Sequence, residues 1–113
     1  MRKLSIAELE PHHRGPQFTS PLPGHVVEKG GFRIYPEPNF RTHDEPGRHV
    51  HTVPELFVIV QGSGAIEIEG AEVDKFTAGE AVLFEPGEDH HLISRGTDPL
   101  VFVWLHLAPE PAE

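Results

Sequence analysis

The sequence predicts an all-β domain, a small barrel or sandwich of short strands, and three observations carry that reading. Dense runs of β-branched and aromatic residues recur along the chain, as in ELFVIVQ, AVLFE and LVFVWLHL, a composition that suits a pleated strand. Turn signals separate these runs roughly every 6–12 residues, too closely for alternating strand and helix units. The 113 residues include 11 glycines and 12 prolines, which disfavour long helices and supply tight turns. A chain of this length has room for one domain with one modest hydrophobic core.

Taken in order, Leu4–Leu9 reads as a short helical opening. The stretch PHHRGPQFTSPLPG follows, with four prolines between Pro11 and Pro23. They exclude a continuous helix and favour an extended, proline-rich N-terminal arm within residues 1–25. Phe18 and Leu22 give that arm apolar side chains to lay against the barrel or a partner subunit. Val26–Glu28 and Gly31–Tyr35 read as strands about a turn at Gly30–Gly31. Pro36–Gly47 is an irregular link with a short strand near Phe40–His43. Arg48–Thr52 alternates as His-Val-His until Pro54 interrupts it. Glu55–Gln61 is a dense strand closed by Gly62-Ser63-Gly64, and Ala65–Glu69 pairs with Val73–Phe76 about Gly70–Ala71. Ala81–Glu85 ends at Pro86–Gly87, and His90–Arg95 and Leu100–Leu107 complete the set. The barrel is expected over residues 26–108, with a short tail at 109–113.

Composition excludes several function classes. The formal net charge of −9 would repel phosphate backbones and anionic lipid, so neither a nucleic-acid partner nor a membrane role is expected. No stretch approaches the roughly 18 consecutive apolar residues of a spanning helix. MRKLSIAELE has two basic residues without an apolar run behind them, so no secretory signal is read and a cytoplasmic location is expected. The chain has no cysteine, which removes disulfides, thiolate ligands and cysteine nucleophiles together. Nine histidines is the unusual count, and the chemistry turns on which of them converge.

In an extended segment, residues two apart share a face, so His49 and His51 present two imidazoles side by side while Val50 points away. Glu55 opens the next strand and shares a face with Phe57, Ile59 and Gln61, while Leu56, Val58 and Val60 form the other. Both faces are largely apolar, as in a strand buried on two sides. A carboxylate among such neighbours is costly unless a cation compensates it. Some thirty residues downstream, GEAVLFEPGEDHH ends one strand at Pro86–Gly87 and starts another at His90.

With these residues in place, the chain resembles the cupins. PGRHVHTVPELFVIVQG is similar to the first cupin motif, through His49, His51, Glu55 and Gly62. GEAVLFEPGEDHH is similar to the second, through Gly79, Gly87 and His90. The resemblance covers about residues 47–94. It implies a small double-stranded β-helix, or jelly-roll barrel, holding one divalent metal ion through His49, His51, Glu55 and His90 with one or two coordination positions open. Nitrogen-rich ligation suits Fe, Mn, Co, Ni, Cu or Zn rather than Ca or Mg. Three positions depart from the motifs: His43 stands where the first motif opens on glycine, Glu85 where the second has proline, and Ser94 where it has asparagine. None removes a ligand, and His43 adds an imidazole near the site.

Alternation from His90 puts Leu92 and Ser94 on the metal-facing side and His91 and Ile93 opposite. In the last strand Phe102, Trp104 and His106 share one face, either pocket lining or a subunit contact; Val101, Val103, Leu105 and Leu107 share the other. His106 is the first candidate for a supporting donor or general base, since imidazole titrates near neutrality, and His43 is the second. Arg33, Arg41, Arg48 and Arg95 are candidates to clamp an anionic substrate. Glu85, Glu88 and Asp89 read as a solvated loop at the barrel rim. The expected function is a metalloenzyme on a small organic substrate, dioxygenase-like or of the decarboxylase or isomerase kind. The alternative is a non-catalytic module that binds or senses a sugar or organic acid. Exposed strand edges favour a homodimer.

Overall fold

The computed structural model describes residues 1–8, 22, 24–36, 42 and 51–109. Most of the proline-rich stretch, the links carrying Arg41, His43, Arg48 and His49, and the tail from 110 lie outside the described residues.

Eight strands are described: β1 (Arg2–Ser5), β2 (His25–Tyr35), β3 (Glu55–Gln61), β4 (Ser63–Ile68), β5 (Ala71–Thr77), β6 (Glu80–Phe84), β7 (His90–Ser94) and β8 (Leu100–Pro109). They form a five-stranded sheet in the order β1-β6-β3-β8-β2 and a three-stranded sheet in the order β5-β4-β7. Every pairing among them is antiparallel. The fold class is all-β, as expected. No helix among the described residues is long and apolar enough to cross a membrane.

The two sheets close on one core. Phe57, Ile59, Val82, Phe84 and Phe102 from the large sheet meet Ile66, Phe76 and Leu92 from the small one. Each such side chain contributes about 1.5–3 kcal/mol by leaving water. Alternate residues of the same strands build a second cluster on the outer face of the large sheet, where Leu56, Ala81, Leu83, Leu105 and Leu107 are joined by Leu4 and Leu22. The strand reading of Glu55–Gln61 and its division into two faces therefore match the structure.

Three local expectations are corrected. Leu4 is not helical: β1 pairs with β6, Leu4 opposite Ala81, and a single 3-10 turn at Ile6–Glu8 follows. Burial of Leu4 on the sheet outweighs the helical propensity of the segment. Gly30–Gly31 is no turn, since β2 runs unbroken from His25 to Tyr35. Gly31 lies opposite Trp104, and a Cβ built there would stand 2.6 Å from the indole. The glycine makes room for a ring across the ladder rather than for a reversal of the chain. The β4–β5 hairpin turns at Glu69–Gly70, with φ of 51° and 81°, one residue earlier than expected. Positive φ at both central positions gives the twist that antiparallel partners need.

A candidate metal centre inside the barrel

Glu55 begins β3 beside two strands of the large sheet, in register with Phe84 on β6 and His106 on β8. Directly opposed residues of an antiparallel pair point to the same side, so this register delivers His106 to the Glu55 carboxylate. His51 reaches the same carboxylate from the segment before β3, which is pinned where the Gly87 N–H donates to the His51 carbonyl at 3.0 Å. Gly87 has a φ of 83°, a conformation suited to glycine. His90 arrives from the first position of β7.

Three imidazoles thus converge on one carboxylate that is 4% exposed. His90 Nε2 lies 2.7 Å and His51 Nε2 3.2 Å from Glu55 Oε1, and His106 Nε2 lies 2.8 Å from Oε2. The His51 ring stands 4.5 Å from that of His106 and 5.4 Å from that of His90, centre to centre. His90 is fixed from behind: its ring stacks on Phe84 at 4.2 Å, and its Nδ1–H donates to the Glu88 carbonyl at 3.1 Å. That donation leaves the Nε2 of a neutral His90 as a lone pair facing an acceptor carboxylate. A cation is required between them, either a second proton or a metal ion.

The donor set fits a metal. Ligand atoms about 2.0–2.2 Å from a common ion stand roughly 3 Å apart, the spacing found here. The ligating atoms of His51, Glu55 and His106 all lie within 4.8 Å of one another. A backbone carbonyl that holds the far nitrogen of a ligating histidine is the usual means of fixing its tautomer and ring orientation.

Electrostatics agree with this arrangement. Burial works to raise the Glu55 pKa. The hydrogen bond from His90 and the nearby His51, His90 and His106 outweigh it, so the carboxyl is held below its ordinary value. Burial is the leading influence on His51 and lowers its pKa; the attraction of Glu55 opposes this, while His106 and His90 add to the lowering. A neutral imidazole beside an ionised carboxylate is the protonation state a divalent ion needs.

Of the residues singled out in the sequence, His51, Glu55 and His90 come together, and His106 joins them as a partner of equal closeness. His49 and His43 lie outside the described residues. The Phe102-Trp104-His106 face points inward: with Arg33, His51, Glu55 and Phe57 it lines a cavity of about 130 Å³. Arg95 pairs instead with Glu72 on the surface at 2.7 Å. The rim loop is exposed at residues 85–87, as expected, and Glu88 ties it down. Glu88 receives the Met1 ammonium at 3.1 Å and the Glu85 N–H at 2.6 Å, so the residue whose carbonyl orients His90 is itself held on both carboxylate oxygens.

His91, expected on the side away from the metal, is 1% exposed. Its Nδ1–H donates to the Thr42 carbonyl at 2.6 Å, and its Nε2 lies 3.3 Å from Asp89. Thr42 also exchanges bonds with Leu92 through its N–H and its hydroxyl, each 2.9 Å. These contacts dock Thr42 on the edge of β7 beside His90. Nothing in the local sequence marks Thr42, because its partners lie about fifty residues away.

Residues 39–106, more than half of the chain, match the family described as the Cupin domain. The chain belongs to the cupin family. Solved structures agree on the fold. A cupin 2 conserved barrel domain protein from Salinispora arenicola CNS-205 is 21% identical with a TM-score of 0.57, covering 94% of this chain and 86% of that one. A conserved protein with a double-stranded β-helix domain from Klebsiella pneumoniae is 19% identical with a TM-score of 0.56, covering 99% of both chains. A cupin protein from Bacteroides fragilis is 20% identical with a TM-score of 0.53, covering 81% of this chain and 71% of that one. No curated protein matches the cupin's sequence. At such identities the structural likeness speaks for the fold, and the site must be argued from its own residues.

Proposed function

We propose that this cupin binds one divalent transition metal ion through His51, Glu55 and His90, with His49 as a fourth ligand, and works as a metalloenzyme on a small organic substrate. The observation that carries the proposal is the convergence of three imidazole nitrogens on one buried carboxylate. Such a group without a cation would cost stability, since a buried charge is expensive unless compensated. His106, bonded to the outer oxygen of Glu55, is placed either to complete the ligand set or to carry a proton at the pocket wall. A bound ion would supply Lewis acidity, and, for Fe or Mn, redox chemistry with oxygen. The aromatic walls would exclude water, and His106, where it is not itself a ligand, would be placed to pass a proton at the pocket wall. Within this reading Fe(II) or Mn(II) dioxygenase-like chemistry is favoured. Oxygen uptake by the metal-loaded protein against catechols, β-diketones and small keto acids tests it, and no turnover with any of them contradicts the dioxygenase assignment.

One observation favours the alternative of a non-catalytic binding or sensing module. Among the described residues, the imidazoles that line the cavity, His51 and His106, are already engaged with Glu55, which ties up the acid and base candidates there. Saturable ligand binding without consumption of the ligand would decide for that reading.

The same proposal includes a homodimer. The long strand β2 is an edge of its sheet, and Phe32 and Ile34 on it are 57% and 56% exposed, a combination that invites a partner. Light scattering reading one chain mass at micromolar concentration would contradict it.

A further inference from the structure

Among the described residues, the cavity above the candidate metal centre has one Lys or Arg side chain in its wall, Arg33. Its guanidinium carbon sits 5.8 Å from the centre of the Trp104 ring, and the Trp104 ring is 5.1 Å from that of His106. Arg33 is opposite Phe102 in the β2–β8 ladder, and Gly31 is opposite Trp104. The missing side chain at Gly31 lets the indole lie against β2, and the arginine extends over it. Among the described residues Arg33 has no ion-pair partner, although the chain has 18 acidic residues against 9 Lys and Arg. Lys3 and Arg95, by contrast, each hold carboxylates. A stacked guanidinium keeps its planar fork of donors for an incoming group.

The rest of the wall has another character. Phe57 and Phe102 lie 4.4 Å apart, centre to centre, and Tyr35 stacks behind Phe102 at 6.0 Å. A space of about 130 Å³ is close to the roughly 150 Å³ of a cavity that admits benzene. The polar groups differ in depth: Glu55 is buried and His51 and His106 half-buried at the inner end, whereas Arg33 is exposed at the outer end. With a divalent ion on the floor both ends would be positive, inside a protein that is acidic as a whole. Such a cavity selects an anion of limited size with a flat apolar body.

We propose that the substrate or ligand of this site is a small planar carboxylate, whose carboxylate is taken by Arg33 while its body lies between Trp104 and the Phe57–Phe102 wall. This rests on the proposed function only for the ion at the cavity floor; the role of Arg33 stands on the geometry of β2 and β8. It makes Arg33 a specificity-determining residue and Trp104 its support.

Trp104 is the one tryptophan of the chain, so its fluorescence reports on this cavity alone. The probes are benzoate and its neutral isostere benzamide, titrated into metal-loaded and metal-stripped protein at constant ionic strength, with calorimetry as a second readout. Benzoate should bind about tenfold or more tightly than benzamide, as expected for a charge-assisted hydrogen bond. In Arg33→Gln the preference should fall to within about twofold; Arg33→Lys should keep part of it. Equal binding of the two probes, binding of neither, or a preference that survives Arg33→Gln overturns the proposal. If the protein takes up no metal yet shows the Arg33-dependent preference, the metalloenzyme reading falls and this one stands. If metal is bound and the preference is absent, only this one falls.

Discussion

The two faces of the β3–β8 ribbon share a backbone and differ in what their side chains are for. Outward, Leu56 and Leu105 pack with Leu83, Ala81 and Leu107. Inward, the neighbouring positions in the sequence put Glu55 beside His106, and Phe57 beside Trp104. Both faces exclude water, but only one encloses charge. The outer face gains stability from each buried methylene. The inner face gives up part of that gain to keep a carboxylate and imidazoles out of water. A strand can thus hold the sheet together on one side and a cluster of candidate metal ligands on the other, with a shift of one residue separating the two roles.

That contrast can be broken by paired substitutions. Glu55→Gln should lower metal affinity more than about 100-fold, beyond the 10–100-fold typical of residues that merely support a ligand, with little change in the fold by circular dichroism. Leu56→Ala, one position away and fully buried, should do the reverse: a loss of about 2–5 kcal/mol in denaturant unfolding with metal affinity within about twofold. If Glu55→Gln binds metal like the parent, the inner face is only a hydrogen-bonded core.

Acidity separates the faces more gently. The His51 pKa is lowered in the folded chain, so the unfolded state takes up its proton first. Its contribution is complete above the ordinary value of 6.5 and is lost as pH falls below it. The Glu55 pKa is also lowered, so its contribution is present above 4.5 and is lost as pH falls through the folded value. Metal-free protein should therefore lose thermal stability in two stages on acidification, and Glu55→Gln should remove the lower stage. A melting temperature flat between pH 7 and about 4.5 would contradict the His51 assignment, and one that stays flat below 4.5 would contradict the Glu55 assignment. The smallest effect belongs to Ser94, whose buried hydroxyl has no hydrogen-bond partner among the described residues. Ser94→Ala should be neutral or stabilising by up to about 1 kcal/mol, because it removes an unsatisfied polar group.

Much of this was legible in the sequence, and the limits have physical causes. ELFVIVQ announced β3 with its ends and faces, because a strand buried on both sides needs an unbroken apolar run. His51, Glu55 and His90 could be named from motif spacing, and the structure puts them within contact. The tie between Glu55 and His106 could not be read, because it depends on the register of two strands about fifty residues apart. Gly30–Gly31 misled for the same reason: glycine signals a turn locally, and here it answers to Trp104 across the ladder. Alternation puts His91 on a face, but its burial depends on Thr42, which no local pattern ties to it.

The central claim is that the inner face holds a metal ion, and elemental analysis tests it most directly. Protein purified without a metal-affinity tag and reconstituted with Fe(II), Mn(II), Co(II), Ni(II), Cu(II) or Zn(II) should retain about one ion per chain after desalting. His51→Ala should retain none while keeping its β-sheet spectrum. No retained metal with any of these ions, or the same stoichiometry in His51→Ala, would contradict the account.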